Sequence, residues 1–84
     1  MEVIAGDVYK HFKGNLYIVE GIAFHSETME KMVVYRALYD DFKLYVRPYD
    51  MFVEKVDKNK YPDVNQEYRF EKIDLKDADE ILKK

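Results

Sequence analysis

The segment from Leu16 to His25 constrains the fold of this chain more than any other. Its apolar residues occupy both parities of an extended strand, with Leu16, Ile18, Ile22 and Phe24 on one and Tyr17, Val19 and Ala23 on the other. That pattern is typical of a central strand in a strongly curved sheet or barrel. Gly21 interrupts the run, and we expect a bend or bulge there that turns Glu20 outward.

Four further segments have the pattern of strands around this centre. They span residues 7–12, 32–39, 43–47 and 52–56, with a helical turn over 48–52 and a short return strand over 68–73. The chain then changes period, because Leu75, Ala78, Ile81 and Leu82 share one face of a helix over 74–83. We therefore predict an all-β fold, a small SH3-like five-stranded partly open barrel with one C-terminal α-helix.

Length and composition indicate a single domain. The chain has 84 residues, too few for two separate cores, so we expect one domain over 1–84 with its β-barrel core at 6–73. Cys is absent, which excludes disulfides and thiolate metal sites and fits a reducing compartment. Eight Tyr and five Phe supply the apolar area for packing instead.

The charges are mixed along the chain. Fourteen basic and 17 acidic side chains give a net charge of −3, which argues against nonspecific nucleic-acid binding because that requires a basic face. The sequence shows neither a signal-peptide core nor a run long enough to span a bilayer. We expect a cytoplasmic protein that does not engage a membrane.

Several motifs follow one another in a distinctive order. They are Gly6-Asp7-Val8-Tyr9-Lys10-His11-Phe12-Lys13-Gly14, Tyr17, His25-Ser26-Glu27-Thr28, Val33-Val34-Tyr35-Arg36-Ala37-Leu38-Tyr39, Arg47-Pro48 and Met51-Phe52. From about Gly6 to Phe70, the chain resembles a small bacterial family of uncharacterised proteins, the domain-of-unknown-function family numbered 1653. The resemblance implies a fold similar to SH3-like β-barrels and brings no activity with it. The helix after Ile73 lies outside the matched region.

The first candidate site is the polar cluster His25, Ser26, Glu27 and Thr28, which lies between two apolar strands. His25 could act as a general base or ligand, since imidazole titrates near neutral pH, or it could hold the following loop by hydrogen bonds. Serine hydrolysis is disfavoured, because adjacent residues on a strand point to opposite faces and no nucleophile elbow surrounds Ser26. Ser26 and Thr28 are better suited to local backbone bonds.

A second group of candidates lies on the neighbouring strands. Arg36 would form an ion pair with a carboxylate such as Glu27. Alternatively, Arg36 and Arg47 would bind an anion together, in a pocket walled by Tyr35, Tyr45 and Tyr49.

A metal site is also conceivable. His25 and Glu27 share a parity, and His11 could approach them to complete a zinc site if the first two strands pair. Three dispersed ligands are weak evidence, so we expect no metal and no cofactor.

Three functions remain open. The leading one is a binding or interaction module, centred on the residues above, for a small anionic ligand or peptide. The second is a small enzyme with His25 as base, Glu27 as acid or metal ligand and Arg36 on an anionic substrate. The third is a nucleic-acid- or ribosome-associated domain using Lys10, Lys13 and Lys43, which the net charge disfavours. The oligomeric state stays undetermined, because an open sheet edge can pair with a second copy.

Overall fold

The computed structural model describes residues 2–74 and residue 76. Five antiparallel strands form one sheet in the order β4-β3-β2-β1-β5. They are β1 (Val8–His11), β2 (Leu16–Phe24), β3 (Lys31–Ala37), β4 (Leu44–Pro48) and β5 (Phe70–Ile73), and the short helix α1 (Tyr49–Phe52) follows β4. The all-β class is confirmed. The sheet does not close into a barrel, because β4 and β5 lie at opposite edges.

The long strand β2 contains the expected bulge. Its pairing with β3 shifts between Val19 and Gly21, which leaves Glu20 as the extra residue. Because side chains alternate along a strand, one extra residue moves the next side chains to the opposite face. Val19 therefore lies opposite Tyr35, and Ile22 lies opposite Val33 on the same face.

The core lies on this face of the sheet, which we call the inner face. Its buried residues come from most of the elements: Val3, Tyr9, Val19, Val33, Tyr35, Phe52 and Phe70. A smaller cluster on the opposite, outer face is formed by Val8 and Leu16, with Ile18, Leu38 and Ile73 against it. The sheet thus has apolar contacts on both faces, which agrees with the two apolar parities of β2.

The chain between β4 and β5 connects the two edges of the sheet. The helical turn after Pro48 is confirmed as α1, and it places Phe52 in the core with no exposed surface. The strand predicted over 52–56 is wrong, since its one pairing in the structure is the isolated bridge between Lys55 and Tyr68. Its apolar residues 52, 53 and 56 do not alternate as a strand requires. The return strand is confirmed as β5.

The helix predicted over 74–83 falls almost entirely on residues outside the described part of the chain. Within that part, no helix is both long enough and apolar enough to cross a membrane.

Candidate functional site

The turn between β2 and β3 carries the predicted polar cluster. The imidazole Nδ1 of His25 accepts the backbone N–H groups of Glu27 (3.2 Å) and Thr28 (3.3 Å). The Thr28 hydroxyl accepts the N–H of Glu30 (3.2 Å). His25 and Ser26 through Thr28 are all exposed. These side chains therefore stabilise the turn, and Nδ1 of His25 is already engaged.

Arg36 lies on the outer face, away from that turn. Its Nε donates to Glu20 Oε1 at 3.0 Å, and Nη1 donates to the carbonyl of Phe42 at 2.9 Å. The structural ion pair that we expected for Arg36 is present, but its partner is Glu20 and not Glu27. The bulge explains the difference, because it turns Glu20 outward beside Arg36.

Arg47 lies on the inner face, so it does not join Arg36. In the pairing of β4 with β3, Arg47 lies opposite Val33, and Arg36 lies opposite Leu44, three residues before Arg47 on β4. Opposite residues of an antiparallel pair share a face and successive residues alternate, which puts the two guanidinium groups on opposite sides of the sheet. The expected anion-binding pair of Arg36 and Arg47 is not formed for this reason.

Tyr35 and Tyr45 accompany Arg47 on the inner face. Their rings stack with centroids 5.8 Å apart, and Nε of Arg47 donates to the Tyr35 hydroxyl at 3.3 Å. The guanidinium lies 5.8 Å from the centroid of Phe70. Tyr35 is only 5% exposed and Tyr45 is 39% exposed, so this group extends from the core to the surface. Tyr49 packs against the same core from α1.

Two tyrosines that the sequence reasoning did not select complete this group. The ring of Tyr17 lies 5.4 Å from Tyr35 and 5.5 Å from Tyr39. The hydroxyls of Tyr17 and Tyr39 are 2.6 Å apart. Burial, followed by this hydrogen bond, raises the pKa of Tyr17. We call Tyr17, Tyr35, Tyr39, Tyr45 and Arg47 the tyrosine face.

His11 lies beside the tyrosine face among rings and cations. Its ring is 4.4 Å from Phe12 and 5.0 Å from Phe70, centroid to centroid. Burial, followed by the positive charges of Arg69, Arg47 and Lys13, lowers the pKa of His11 to about 4. Since Nδ1 accepts the N–H of Lys13 (3.1 Å), the neutral ring carries its proton on Nε2. The surroundings of His11 are therefore cationic at neutral pH.

The conceivable zinc site is not formed. His11 ends β1 next to the start of β2, whereas His25 follows the end of that nine-residue strand. At about 3.3 Å per residue the two lie on the order of 25 Å apart. The described residues contain no group of three or more acidic, His or Cys side chains that could hold a metal.

The three lysines of the nucleic-acid hypothesis do not form a strip. Lys10 lies on the outer face, opposite Leu16 and Glu71. The ammonium group of Lys13 lies 5.8 Å from the centroid of Tyr61, and that of Lys43 lies 4.0 Å from Asp41. Within the described residues, these three lysines therefore do not form a continuous basic surface.

A shallow cavity of about 390 Å³ lies away from all of these candidates, where β1 meets β5. It is lined by Gly6, Asp7, Val8, Lys72, Ile73 and Asp74. Asp7 and Lys72 already form an ion pair at 3.6 Å. The charges of Asp7 and Lys72 therefore offset each other within this cavity.

The alternation of side chains along the strands is sufficient to predict part of the tyrosine face. Tyr35 and Tyr45 pair across β3 and β4, and Tyr17 pairs with Ala37 on the same face as Tyr35. Tyr17 lies opposite Ala37, two residues from Tyr35 on β3. Comparing the aromatic residues of the same face on adjacent strands would therefore have added Tyr17 to the candidates. Tyr39 has the same parity as Tyr35 in the strand predicted over 32–39, although β3 ends at Ala37 and Tyr39 follows it in an irregular segment.

Fold and site together define a small all-β protein with an aromatic, cation-bearing inner face. The chain matches, over residues 7–72, the model of the family described as "Protein of unknown function (DUF1653)". It therefore belongs to this family, as the motif order indicated. Neither the curated proteins nor the solved structures include a match.

Proposed function

We propose that this protein is a binding module and that the tyrosine face is its binding surface. The observation that carries the proposal is the position of Arg47 beside the stacked rings of Tyr35 and Tyr45. Within the described residues, no carboxylate lies at ion-pair distance from its guanidinium. A half-buried arginine of this kind has donors left for an anion.

The charges around the tyrosine face favour an anionic group on the ligand. The field at His11 comes from Arg69, Arg47 and Lys13. Arg69 is partly compensated by Glu54, 2.6 Å away. Arg47 and Lys13 have no such partner in the described part of the chain, so the field near His11 stays positive.

The rings favour a flat ligand. The exposed Tyr45 ring continues the cluster outward, and aromatic rings and guanidinium planes both stack against flat groups. We therefore propose a small molecule or peptide side chain that joins an anionic group to a planar ring. Because Cys is absent, we place this activity in the cytosol.

Phenyl phosphate, inorganic phosphate and phenol test the two parts of this ligand separately by NMR titration of the ¹⁵N-labelled protein. We expect phenyl phosphate to shift the signals of Tyr35, Tyr45 and Arg47, and each fragment to bind more weakly. Arg47→Gln should weaken phenyl phosphate about tenfold, because a charge-assisted hydrogen bond is lost.

Arg36→Gln is the matched control, since it makes the same change on the opposite face. It should leave the affinity for phenyl phosphate unchanged. Shifts confined to the 25–28 turn, no shifts at all, or equal losses in both variants would overturn the proposal.

A further inference from the structure

The two edges of the sheet differ in how well they are protected. The edge strand β5 carries Glu71 and Lys72 in its middle, and both are exposed. The edge strand β4 instead exposes Leu44 (53%), Tyr45 (39%) and Val46 (59%). Charged residues on an edge strand oppose pairing with another chain, and exposed apolar residues permit it. β4 is thus the open edge.

The backbone of β4 has hydrogen-bonding groups directed away from the sheet. The N–H of Ala37 donates to the carbonyl of Lys43 (2.9 Å), which makes these two a hydrogen-bonded pair. Such pairs alternate along an antiparallel ladder, so Tyr45 and Arg47 bond to β3 as well. The N–H groups of Leu44 and Val46 then point outward, as do the carbonyls of Leu44, Val46 and Pro48.

This outward row is complementary to itself in the antiparallel register centred on Val46. A centre at Tyr45 would pair the same groups, but it would place Arg47 opposite Lys43 of the other copy, and like charges in opposite positions are destabilising. With Val46 opposite Val46 of a second copy, the Val46 N–H groups bond to each other's carbonyls. Each Leu44 N–H then bonds to the opposing Pro48 carbonyl, and the missing N–H of Pro48 falls at the end of the ladder. A centre at Leu44 would bring in Phe42, which has φ 55° and cannot extend the strand.

The side chains agree with the same register. On the inner face, each Tyr45 lies opposite Arg47 of the other copy, a pairing of a cation with an aromatic ring. The two arginines do not oppose each other. On the outer face, Leu44 meets Pro48 and Val46 meets Val46, so apolar surface is buried.

We propose that β4 pairs with β4 of a second copy about Val46, which joins the two sheets into one. Both tyrosine faces then lie on the same side of the joined sheet. The contact is short compared with a standard interface of about 1,600 Å², so the association is weak and depends on concentration. Tyr45 and Arg47 belong both to this contact and to the tyrosine face, but the pairing of the two β4 backbones requires no ligand.

Sedimentation velocity and NMR on the full chain test the pairing at about 20 µM and about 1 mM. The weight-average mass should rise from one chain towards two. At the higher concentration, the Leu44 and Val46 amides should exchange with D₂O several-fold more slowly, while Tyr45 and Arg47 amides, already bonded to β3, should not change. A mixed labelled sample should give an intermolecular Hα–Hα contact between Tyr45 and Arg47, whose Cα atoms lie about 4.5 Å apart in such pairs.

Val46→Lys places two ammonium groups side by side at the centre of the contact and should keep the protein monomeric. Val46 is more than half exposed, so the fold should tolerate the change. Ile4→Lys, an exposed aliphatic position outside β4 (51%), is the matched control and should associate like the wild type. A wild-type monomer at the higher concentration, association that survives Val46→Lys, or association without protection of Leu44 and Val46 would overturn the proposal.

Discussion

The two histidines form the same local hydrogen bond in different surroundings. In each, Nδ1 accepts backbone N–H groups of the turn that follows: that of Lys13 for His11, and those of Glu27 and Thr28 for His25. His25 is exposed, whereas His11 is half-buried beside rings and cations. A shared turn motif thus places one imidazole in solvent and the other against the tyrosine face.

We expect His11 to make the free energy of unfolding depend on pH. Its pKa is 6.5 for an unperturbed side chain and about 4 in the folded protein. Between these values the unfolded chain binds a proton that the folded chain does not, so this contribution to stability falls as the pH falls from about 6.5 to about 4. Urea unfolding at a series of pH values measures it.

His11→Asn isolates the effect. The Asn side-chain oxygen can still accept the Lys13 N–H, but it does not titrate. The free energy of unfolding of the wild type minus that of the variant should therefore fall as the pH falls through this window. The contributions of the carboxylates are the same in both proteins and cancel in the difference. A difference in unfolding free energy that does not change with pH, or that rises as the pH falls, would contradict the lowered pKa of His11. So would an NMR titration of the folded protein with a midpoint for His11 near 6.5.

At the scale of elements, the bulge in β2 explains why that strand is apolar on both parities. Tyr17 and Val19 face inward before the bulge, and Ile22 faces inward after it. The residues of β2 that face inward therefore have odd numbers before the bulge and even numbers after it. The same extra residue supplies the carboxylate that holds Arg36 on the outer face. The bulge thus gives Arg36 its ion-pair partner, whereas the register of β3 with β4 places Arg36 and Arg47 on opposite faces.

Two glycines allow the hairpin and the bulge to be compared directly. Gly14 in the β1–β2 turn has φ +109°, a conformation that disfavours a side chain, and Gly21 at the bulge does not have positive φ. Neither has an atom within 4 Å of an added Cβ. Gly14→Ala should therefore cost about 1–2 kcal/mol through the backbone alone. Gly21→Ala should change stability by less than about 1 kcal/mol, in the stabilising direction, because Gly weakens strands. Equal effects in thermal or urea unfolding would contradict this.

Alternation and turn residues predicted the five strands of the sheet, together with a strand over 52–56 that is not formed, and they were insufficient to predict the site. The bounds of β1 to β4 follow from local patterns such as the turn at Gly14 and the alternation around Val33 and Tyr35. Which residues meet depends on the register between strands and on irregular segments. Tyr39 joins Tyr17 from outside any strand, and Arg36 bonds to Glu20 because of the bulge. Tyr39 has the parity of Tyr35, and a bulge that turns Glu20 outward was expected, but alternation within one strand does not predict which residue of the neighbouring strand each one contacts.

At the scale of the whole molecule, Phe52 links the connection between the sheet edges to the core. Its ring lies 5.2 Å from Tyr9 on β1, 5.3 Å from Tyr35 on β3, and 4.2 Å from Phe70 on β5, where the two rings stack at 7°. Phe70 is itself 1% exposed. One side chain of a four-residue helix therefore contacts three of the five strands. Removal of this side chain would therefore leave a cavity among the rings of Tyr9, Tyr35 and Phe70.

Truncation of Phe52 should thus destabilise the whole chain and not only the connection. Phe52→Ala should cost about 3–5 kcal/mol, a large part of the roughly 4–13 kcal/mol expected for a domain of this length. Phe52→Leu should cost about 1–2 kcal/mol and keeps the protein folded for measurement. The neighbouring Met51 is 46% exposed, so Met51→Ala should cost less than about 0.5 kcal/mol and serves as the control. Urea unfolding monitored both by tyrosine fluorescence and by far-ultraviolet circular dichroism should give one midpoint for Phe52→Leu, shifted below that of the wild type. Separate midpoints for the two signals would mean that the connection unfolds independently of the sheet, against the central position that its contacts assign to Phe52.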